Sequence, residues 1–165
     1  MKNFWLSLPA KLREASDGLG LLALRIWLAQ EFLHAGLMKL HHGRLAPEWF
    51  VNLSFPFPVR LLSEDQNWVA AGLGETVFGV LLLIGLQTRL ASLGLLFITW
   101  VAVYTVHFDL GFAGWDQIET DMGQGFKLPL MMACMLLATL TQGGGRWSAD
   151  NIVCRLLRRG KLQTA

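Results

Sequence analysis

Long apolar runs alternate with polar segments along the whole chain. Each run is long enough, or nearly so, for a helix that crosses the hydrocarbon core of a bilayer, which takes about 20 residues. The runs cover residues 19–40, 68–86, 90–107 and 126–141. Because so few residues separate the second run from the third, these two helices must be antiparallel neighbours. The pattern predicts an all-α integral membrane protein folded as an antiparallel four-helix bundle.

The bundle spans residues 19–141, and three segments of the chain are not part of its membrane-spanning helices. Residues 1–18 mix basic and apolar side chains, and we expect an amphipathic segment that lies along the membrane surface. Residues 41–67 are rich in aromatic residues and prolines, which predicts an interfacial loop over the outer end of the bundle. Residues 142–165 form a basic tail, in which three glycines end the fourth helix before a short basic helix begins.

Composition supports lipid as the solvent of this chain. Hydrophobic residues make up 53% of the sequence and charged residues 16%, and the mean hydropathy is +0.43. The net charge of +2 comes without a basic stripe interleaved with aromatics, so nucleic acid is excluded as a partner. The two cysteines lie in an apolar run and in the basic tail, and we expect both Cys134 and Cys154 to stay reduced.

Lysine and arginine are divided unequally between the two sides of the predicted membrane. Nine lie in the N-terminal segment, the 87–89 turn and the tail, whereas Arg44, Arg60 and Lys127 lie on the opposite side. Short loops on the cytoplasmic side of a membrane carry an excess of lysine and arginine. The count therefore places both termini in the cytoplasm and predicts a multi-pass protein of a bacterial or archaeal inner membrane.

Several ionisable residues fall within the predicted spans. Such groups are costly in lipid, so they normally face the bundle interior and find a partner. At about 1.5 Å of rise per residue, Glu75 on the second helix lies close to the depth of Glu31 on the first. Arg25 can reach a carboxylate about one turn away. We predict a buried ion pair between Arg25 and Glu75, either as a structural clamp or as part of a binding site.

A second polar group lies toward the outer half of the bundle. Glu31, His34, Lys39 and Glu75 form a candidate site where a quinone head group could bind and exchange protons. The histidines His34, His41 and His107 could instead bind a transition metal, with haem as a further cofactor. They could also be ordinary interfacial residues, because no dense metal motif such as H-E-x-x-H is present.

Four sequence features together resemble the DoxX family of small bacterial and archaeal membrane proteins. They are the first-helix residues Arg25, Phe32, Gly36 and Lys39, the string GETVFGVLLLIGLQTRLA at 74–91, the tight turn at Thr88 and Arg89, and GGGRWSAD at 143–150. The last is similar to a Gly-x-Gly-x-x-Ser-x-Asp pattern of the family. The resemblance implies a membrane-embedded helical fold. It also implies a link to redox metabolism, since the family is named for a subunit associated with a thiosulfate:quinone oxidoreductase and terminal quinol oxidase system.

Three functional hypotheses follow from these observations. The first is a quinone-linked redox-associated subunit of the inner membrane. The second is a non-enzymatic anchor or assembly partner of a redox or metal-handling complex, with the acidic segment 109–121 as a docking surface for a cationic protein partner. The third is transport of a small solute, which four short helices would support only in a homo-oligomer. No nucleophile, phosphate-loop or dinucleotide motif is present, which argues against a hydrolase, a kinase or a nicotinamide enzyme.

Overall fold

The computed structural model describes the backbone of residues 18–163 and the side chains of residues 18–156. The predicted N-terminal surface segment therefore lies outside the described residues, apart from its last position. Six α-helices follow one another along the chain: α1 Leu19–His42, α2 Glu48–Val51, α3 Glu64–Ile84, α4 Thr88–Thr105, α5 Lys127–Gln142 and α6 Ala149–Gln163. Short 3-10 helices cover Val59–Leu61 and Gly111–Asp116.

The four long helices α1, α3, α4 and α5 pack in a ring, each antiparallel to the next. On α1 and α3, Gly36 lies against Thr76 while Leu33 lies against Gly79. The same opposed register relates α4 to α5, since the Ser92 hydroxyl lies 2.7 Å from that of Thr139. One end of the ring, the loop end, holds residues 42–64 and 105–127. The other, the tail end, holds residues 84–88 and 142–149.

A single hydrophobic core lies between these helices. Every long helix contributes a fully or nearly fully buried side chain to it, and the set is Leu28, Phe32, Leu82, Ala91, Leu95 and Leu136. The arrangement confirms the prediction of a mostly helical protein. The side of the membrane on which each terminus lies stays a prediction.

Local sequence sets where α3 begins and ends. Ser63 and Gln66 form a capping box, in which the Ser63 hydroxyl accepts from the Gln66 amide and the Gln66 side chain accepts from the Ser63 amide. At the other end Gly85 ends the helix with a left-handed φ of 70°, which glycine adopts without a steric cost. The chain then reverses at once into α4, as the short predicted link requires.

Two of the described helices, α3 and α4, are long and apolar enough to cross a membrane. Only 33% and 28% of their most apolar windows is buried within the protein, whereas the core helix of a soluble domain hides most of such a face. Large apolar side chains such as Leu73, Val77, Leu93 and Trp100 point outward. Helix α5, with 16 residues, is apolar but shorter.

The loop between α4 and α5 contains one element that the sequence analysis does not predict. Residues Glu119–Thr120 and Gly123–Gln124 pair as a two-stranded antiparallel hairpin. The hairpin is held to the end of α4 by Asp109, whose carboxylate accepts a hydrogen bond of 3.1 Å from the Gln124 amide. It is too short to show the alternating pattern by which strands are recognised.

Candidate functional site

A buried ion pair joins α1 to α3 near the loop end. The Lys39 ammonium lies 2.7 Å from Oε2 and 3.0 Å from Oε1 of Glu75, and the two side chains are only 15% and 9% exposed. The ammonium also lies 5.9 Å from the centre of the Trp68 ring, within the range of a cation–π interaction. Both charges are thus satisfied inside the protein, as the cost of ionised groups in lipid demands.

The prediction that Glu75 forms its ion pair with Arg25 is therefore wrong. Arg25 makes no ion pair with Glu75, because the two helices are displaced along each other relative to the prediction. The close approach of Gly36 to Thr76 sets Glu75 opposite the last third of α1, where Lys39 and not Glu31 is the polar residue on the inward face. Arg25 lies opposite the last turn of α3, at the tail end.

Arg25 instead binds four backbone carbonyls at the tail end, and its side chain is almost completely buried. Its guanidinium donates to the carbonyls of Leu82 at 2.9 Å and Leu83 at 2.8 Å. It also donates to those of Gly144 at 2.7 Å and Trp147 at 3.0 Å. The last carbonyls of a helix have no partner within the helix, and a cation there also complements the helix dipole. Arg25 thus caps α3 and fixes the α5–α6 link to it.

Asp150 performs the complementary task at the first turn of α4. Its carboxylate accepts from the amide of Gln87 at 2.7 Å and from the amide and hydroxyl of Thr88, each at 3.0 Å. Gln87 itself provides no side-chain cap. A Cβ at Gly144 would lie 2.6 Å from the Thr88 hydroxyl, so this close packing requires glycine. The GGGRWSAD motif is therefore structural: it supplies the cap of a helix more than 50 residues away.

A cavity of about 650 Å³ lies beside the Lys39–Glu75 pair, between α3 and α4. Aromatic residues of the loop between α1 and α3, Phe50 and Phe55, cover its loop end. Its remaining walls are mostly aliphatic or aromatic residues of α3 and α4. The ion pair is thus a charged group at the wall of an otherwise largely apolar space.

The aromatic residues near this cavity contact one another as a cluster. The ring of Phe50 lies 5.1 Å from those of Phe55 and Trp68, and the ring of Trp49 lies 6.0 Å from that of Trp68. Trp68 is 3% exposed, and its indole N–H has no hydrogen-bond partner among the described residues. Offset and edge-to-face ring contacts of this kind stabilise a compact wall.

The other predicted site residues on α1 do not join this group. Glu31, His34 and His41 are exposed on the face of α1 opposite to Phe32 and Gly36, which are buried. The four-residue quinone site predicted from sequence is therefore divided: Lys39 and Glu75 are brought together, and Glu31 and His34 are not. Within residues 18–156, no three histidine, cysteine, aspartate or glutamate side chains gather as a metal would need. The predicted metal site of His34, His41 and His107 is wrong for that reason.

His107 alone among these histidines lines the cavity. It lies just beyond the end of α4, where its amide donates to the carbonyls of Ala102 and Val103. Burial lowers the pKa of its imidazole from the ordinary value, while the nearby Asp109 and a hydrogen bond with Gln124 partly oppose the shift. The neutral imidazole is thus the favoured form, and it can donate or accept one hydrogen bond at the cavity wall.

Comparison with known proteins gives two sequence matches. The sequence profile of the DoxX family matches residues 20–108, which include the ion pair and every residue that lines the cavity. An uncharacterized protein of Haemophilus influenzae is 37% identical over 145 residues, which cover 87% of this chain and 89% of the relative. No solved structure matches the chain. On the profile match and the extent of this likeness, the chain belongs to the DoxX family, a family of membrane proteins.

Proposed function

We propose that this protein is a quinone-linked, redox-associated membrane subunit that binds a quinone head group in the cavity beside Lys39 and Glu75. The observation that carries the proposal is a charged pair at the wall of a largely apolar, aromatic-lined cavity. A quinone presents two carbonyl oxygens on a flat apolar ring. The ammonium of Lys39 can donate to one carbonyl while aromatic walls pack against the ring.

The size and the opening of the cavity support this ligand. Its volume falls within the range of about 300–1,000 Å³ typical of small-molecule sites. Leu90, Leu93 and Phe97 line it and are also exposed on the outer surface of α4. The cavity therefore opens toward the surface that lipid would cover. A long apolar tail could leave through this opening without entering water.

Reduction of a quinone to a quinol takes up two electrons and two protons. In this proposal the electrons come from a redox partner protein, which acts as the reductant. Glu75 and His107, both on the cavity wall, are the groups that can exchange protons with the ligand. A chain that exchanges protons while a partner supplies the electrons is a subunit of a redox complex rather than an enzyme that acts alone.

The proposal includes a four-span topology with both termini in the cytoplasm. The apolar outer surfaces of α3 and α4 support embedding in lipid. The unequal distribution of lysine and arginine supports the orientation. In this orientation the Lys39–Glu75 pair and the loop end lie in the outer half of the bilayer, and Arg25 lies in the inner half.

Quinone binding can be tested with the full-length protein in lipid nanodiscs. A short-tailed benzoquinone is titrated while tryptophan fluorescence is recorded, since Trp49 lines the cavity. The double variant Lys39→Met/Glu75→Leu removes both charges together and so avoids an unpaired buried charge. We expect its affinity to fall by about tenfold or more, as the loss of a charge-assisted hydrogen bond implies.

A matched control is Glu31→Gln/His34→Gln, which alters polar residues of the same helix on its exposed face. We expect this control to bind as the wild type does. Equal affinity in the wild type and in the Lys39→Met/Glu75→Leu variant would contradict the proposal. So would wild-type protein that shows no saturable binding of a benzoquinone or a naphthoquinone.

A second candidate function is a docking subunit without a bound ligand, and the loop end favours it. The surface between Asp109 and Gln124 carries acidic residues beside strongly exposed apolar ones, with Phe112 85% and Met122 81% exposed. A cationic partner protein would complement it. Native-membrane pull-down at low salt tests this reading: Asp116→Asn/Glu119→Gln should lose a partner that the wild type retains, while quinone binding is unchanged.

A further inference from the structure

A second, open groove lies at the tail end, remote from the ion pair. Its volume is about 940 Å³. The groove lies between the α3–α4 turn, the α5–α6 link and the first turns of α6. Three arginines line it, Arg89, Arg146 and Arg155, together with one carboxylate, that of Asp150.

The single carboxylate is already engaged by the protein. Both of its oxygens accept hydrogen bonds from the first residues of α4, and it lies close enough to Arg25 for a favourable charge interaction. The groove as a whole therefore carries an excess of positive charge. A ligand with negative charge is the one it would attract.

The arginines at its two sides keep donors for such a ligand. Arg89 donates from one Nη to the Thr141 carbonyl at 3.3 Å, and Arg155 donates from Nε to the Asn151 side chain at 3.3 Å. A guanidinium has five N–H donors in a planar fork that matches the oxygens of a phosphate. Both side chains are exposed and both bonds are long, so each can turn toward an anion at little cost.

Two apolar side chains, those of Leu21 and Leu90, also line the groove. Leu90 lines it and is 53% exposed. A free phosphate or an acidic peptide would leave these apolar groups in water. A phospholipid satisfies both requirements, because its phosphate meets the arginines and its acyl chains meet the apolar side chains.

We propose that the tail-end groove binds the head group of an anionic phospholipid, with Arg89 and Arg155 on its phosphate and Leu90 against an acyl chain. Leu90 lines both this groove and the quinone cavity, but the arginines of the groove lie at the tail end and the Lys39–Glu75 pair lies near the loop end. In this arrangement the lipid joins the α3–α4 turn to α6 and holds α6 along the membrane surface.

Native mass spectrometry of the full-length protein tests the site. The protein is released from mixed micelles that contain phosphatidylglycerol and phosphatidylcholine in equal amounts, and the retained lipid is identified. We expect the wild type to retain phosphatidylglycerol preferentially. The variant Arg89→Gln/Arg155→Gln should lower this preference by about tenfold or more, given the attraction of each basic residue to anionic lipid.

The control variant is Arg44→Gln/Arg60→Gln, which removes the same charge from two exposed arginines at the loop end. It should retain phosphatidylglycerol as the wild type does. The proposal is overturned if both variants lose the lipid equally, since the effect would then be net charge alone. It is also overturned if the tail-end variant keeps its preference, or if saturating inorganic phosphate displaces the lipid completely, since the site would then recognise the free anion.

Discussion

Arg25 and Asp150 lie on either side of the turn between α3 and α4 and cap the two helices that meet there. Arg25 donates to the last carbonyls of α3, and Asp150 accepts from the first amides of α4. A cation at a helix C-terminus and an anion at a helix N-terminus both complement the helix dipole. Two residues from opposite ends of the chain therefore stabilise one turn in its middle.

Replacing Arg25 by lysine should destabilise the protein severely. A lysine ammonium is a compact donor and cannot reach the carbonyls of Leu82, Leu83, Gly144 and Trp147 together. Hydrogen bonds to charged groups contribute about 1.5–3 kcal/mol each, so we expect a loss of roughly 3 kcal/mol or more. Thermal unfolding in detergent measures it. Arg60→Lys, at an exposed site, is the control, and a similar small shift for both variants would contradict the capping role.

The Lys39–Glu75 pair should show strong coupling in a double-mutant cycle. Lys39→Met alone leaves a buried carboxylate without its partner, which costs about 3–5 kcal/mol. The double variant Lys39→Met/Glu75→Leu should unfold within about 1 kcal/mol of the wild type, because replacing a buried pair by apolar residues is often neutral. The exposed residues Glu31 and His34 give the control cycle, in which we expect additive effects. Additive losses at the buried pair would show that the two charges do not depend on each other.

The contact between α1 and α3 should not tolerate a methyl group at Gly36. A Cβ there would lie 2.8 Å from the backbone nitrogen of Thr76, and backbone cannot move aside as a flexible side chain can. We expect Gly36→Ala to cost about 1–3 kcal/mol through overpacking. Gly20, in the same helix, has nothing within 4 Å of the corresponding position. Gly20→Ala should therefore be neutral or slightly stabilising, as helix propensity implies, and equal losses in both variants would contradict a packing effect.

The free energy of unfolding should fall in mild acid because the His107 imidazole becomes protonated. Burial lowers the pKa of this imidazole in the folded protein below its unfolded value, so the unfolded state binds the proton first as pH falls. The stabilising contribution of the neutral ring is therefore complete above about pH 6.5 and is lost as pH falls through the folded pKa. We expect the drop in Tm between neutral pH and mild acid to be smaller in His107→Asn. An identical drop in Tm in the wild type and in His107→Asn would contradict this role of His107.

The sequence predicted the helices well and their contacts less well. Hydrophobic runs located α1, α3, α4 and α5 to within a few residues, because length and apolarity are local properties. The partner of Glu75 was predicted wrongly because helix depth was inferred from the ends of apolar runs. The actual displacement is set by the contact of Gly36 with Thr76, which no spacing within one helix reveals.

The GGGRWSAD segment is a second case in which contacts between distant residues could not be predicted from the sequence. Its glycines and Ser148 do end α5 and begin α6, as local rules predict. Its main contribution is made at long range, however, through bonds from Asp150 to the start of α4 and from Arg25 to Gly144 and Trp147. Residues separated by 62 to 122 positions meet there, and a single sequence carries no signal that joins them.

The four hydrogen bonds of Arg25 hold α1 and α3 together more firmly at the tail end than at the loop end. Any rotation of α1 against α3 would have to break bonds to two carbonyls of a helix and two of a link at once. In the function proposed above, a ligand beside Lys39 and Glu75 would therefore shift the loops around Phe50 and the hairpin at Gln124 rather than the tail end. With the topology proposed above, a partner protein that senses such a ligand would contact the outer side of the bilayer.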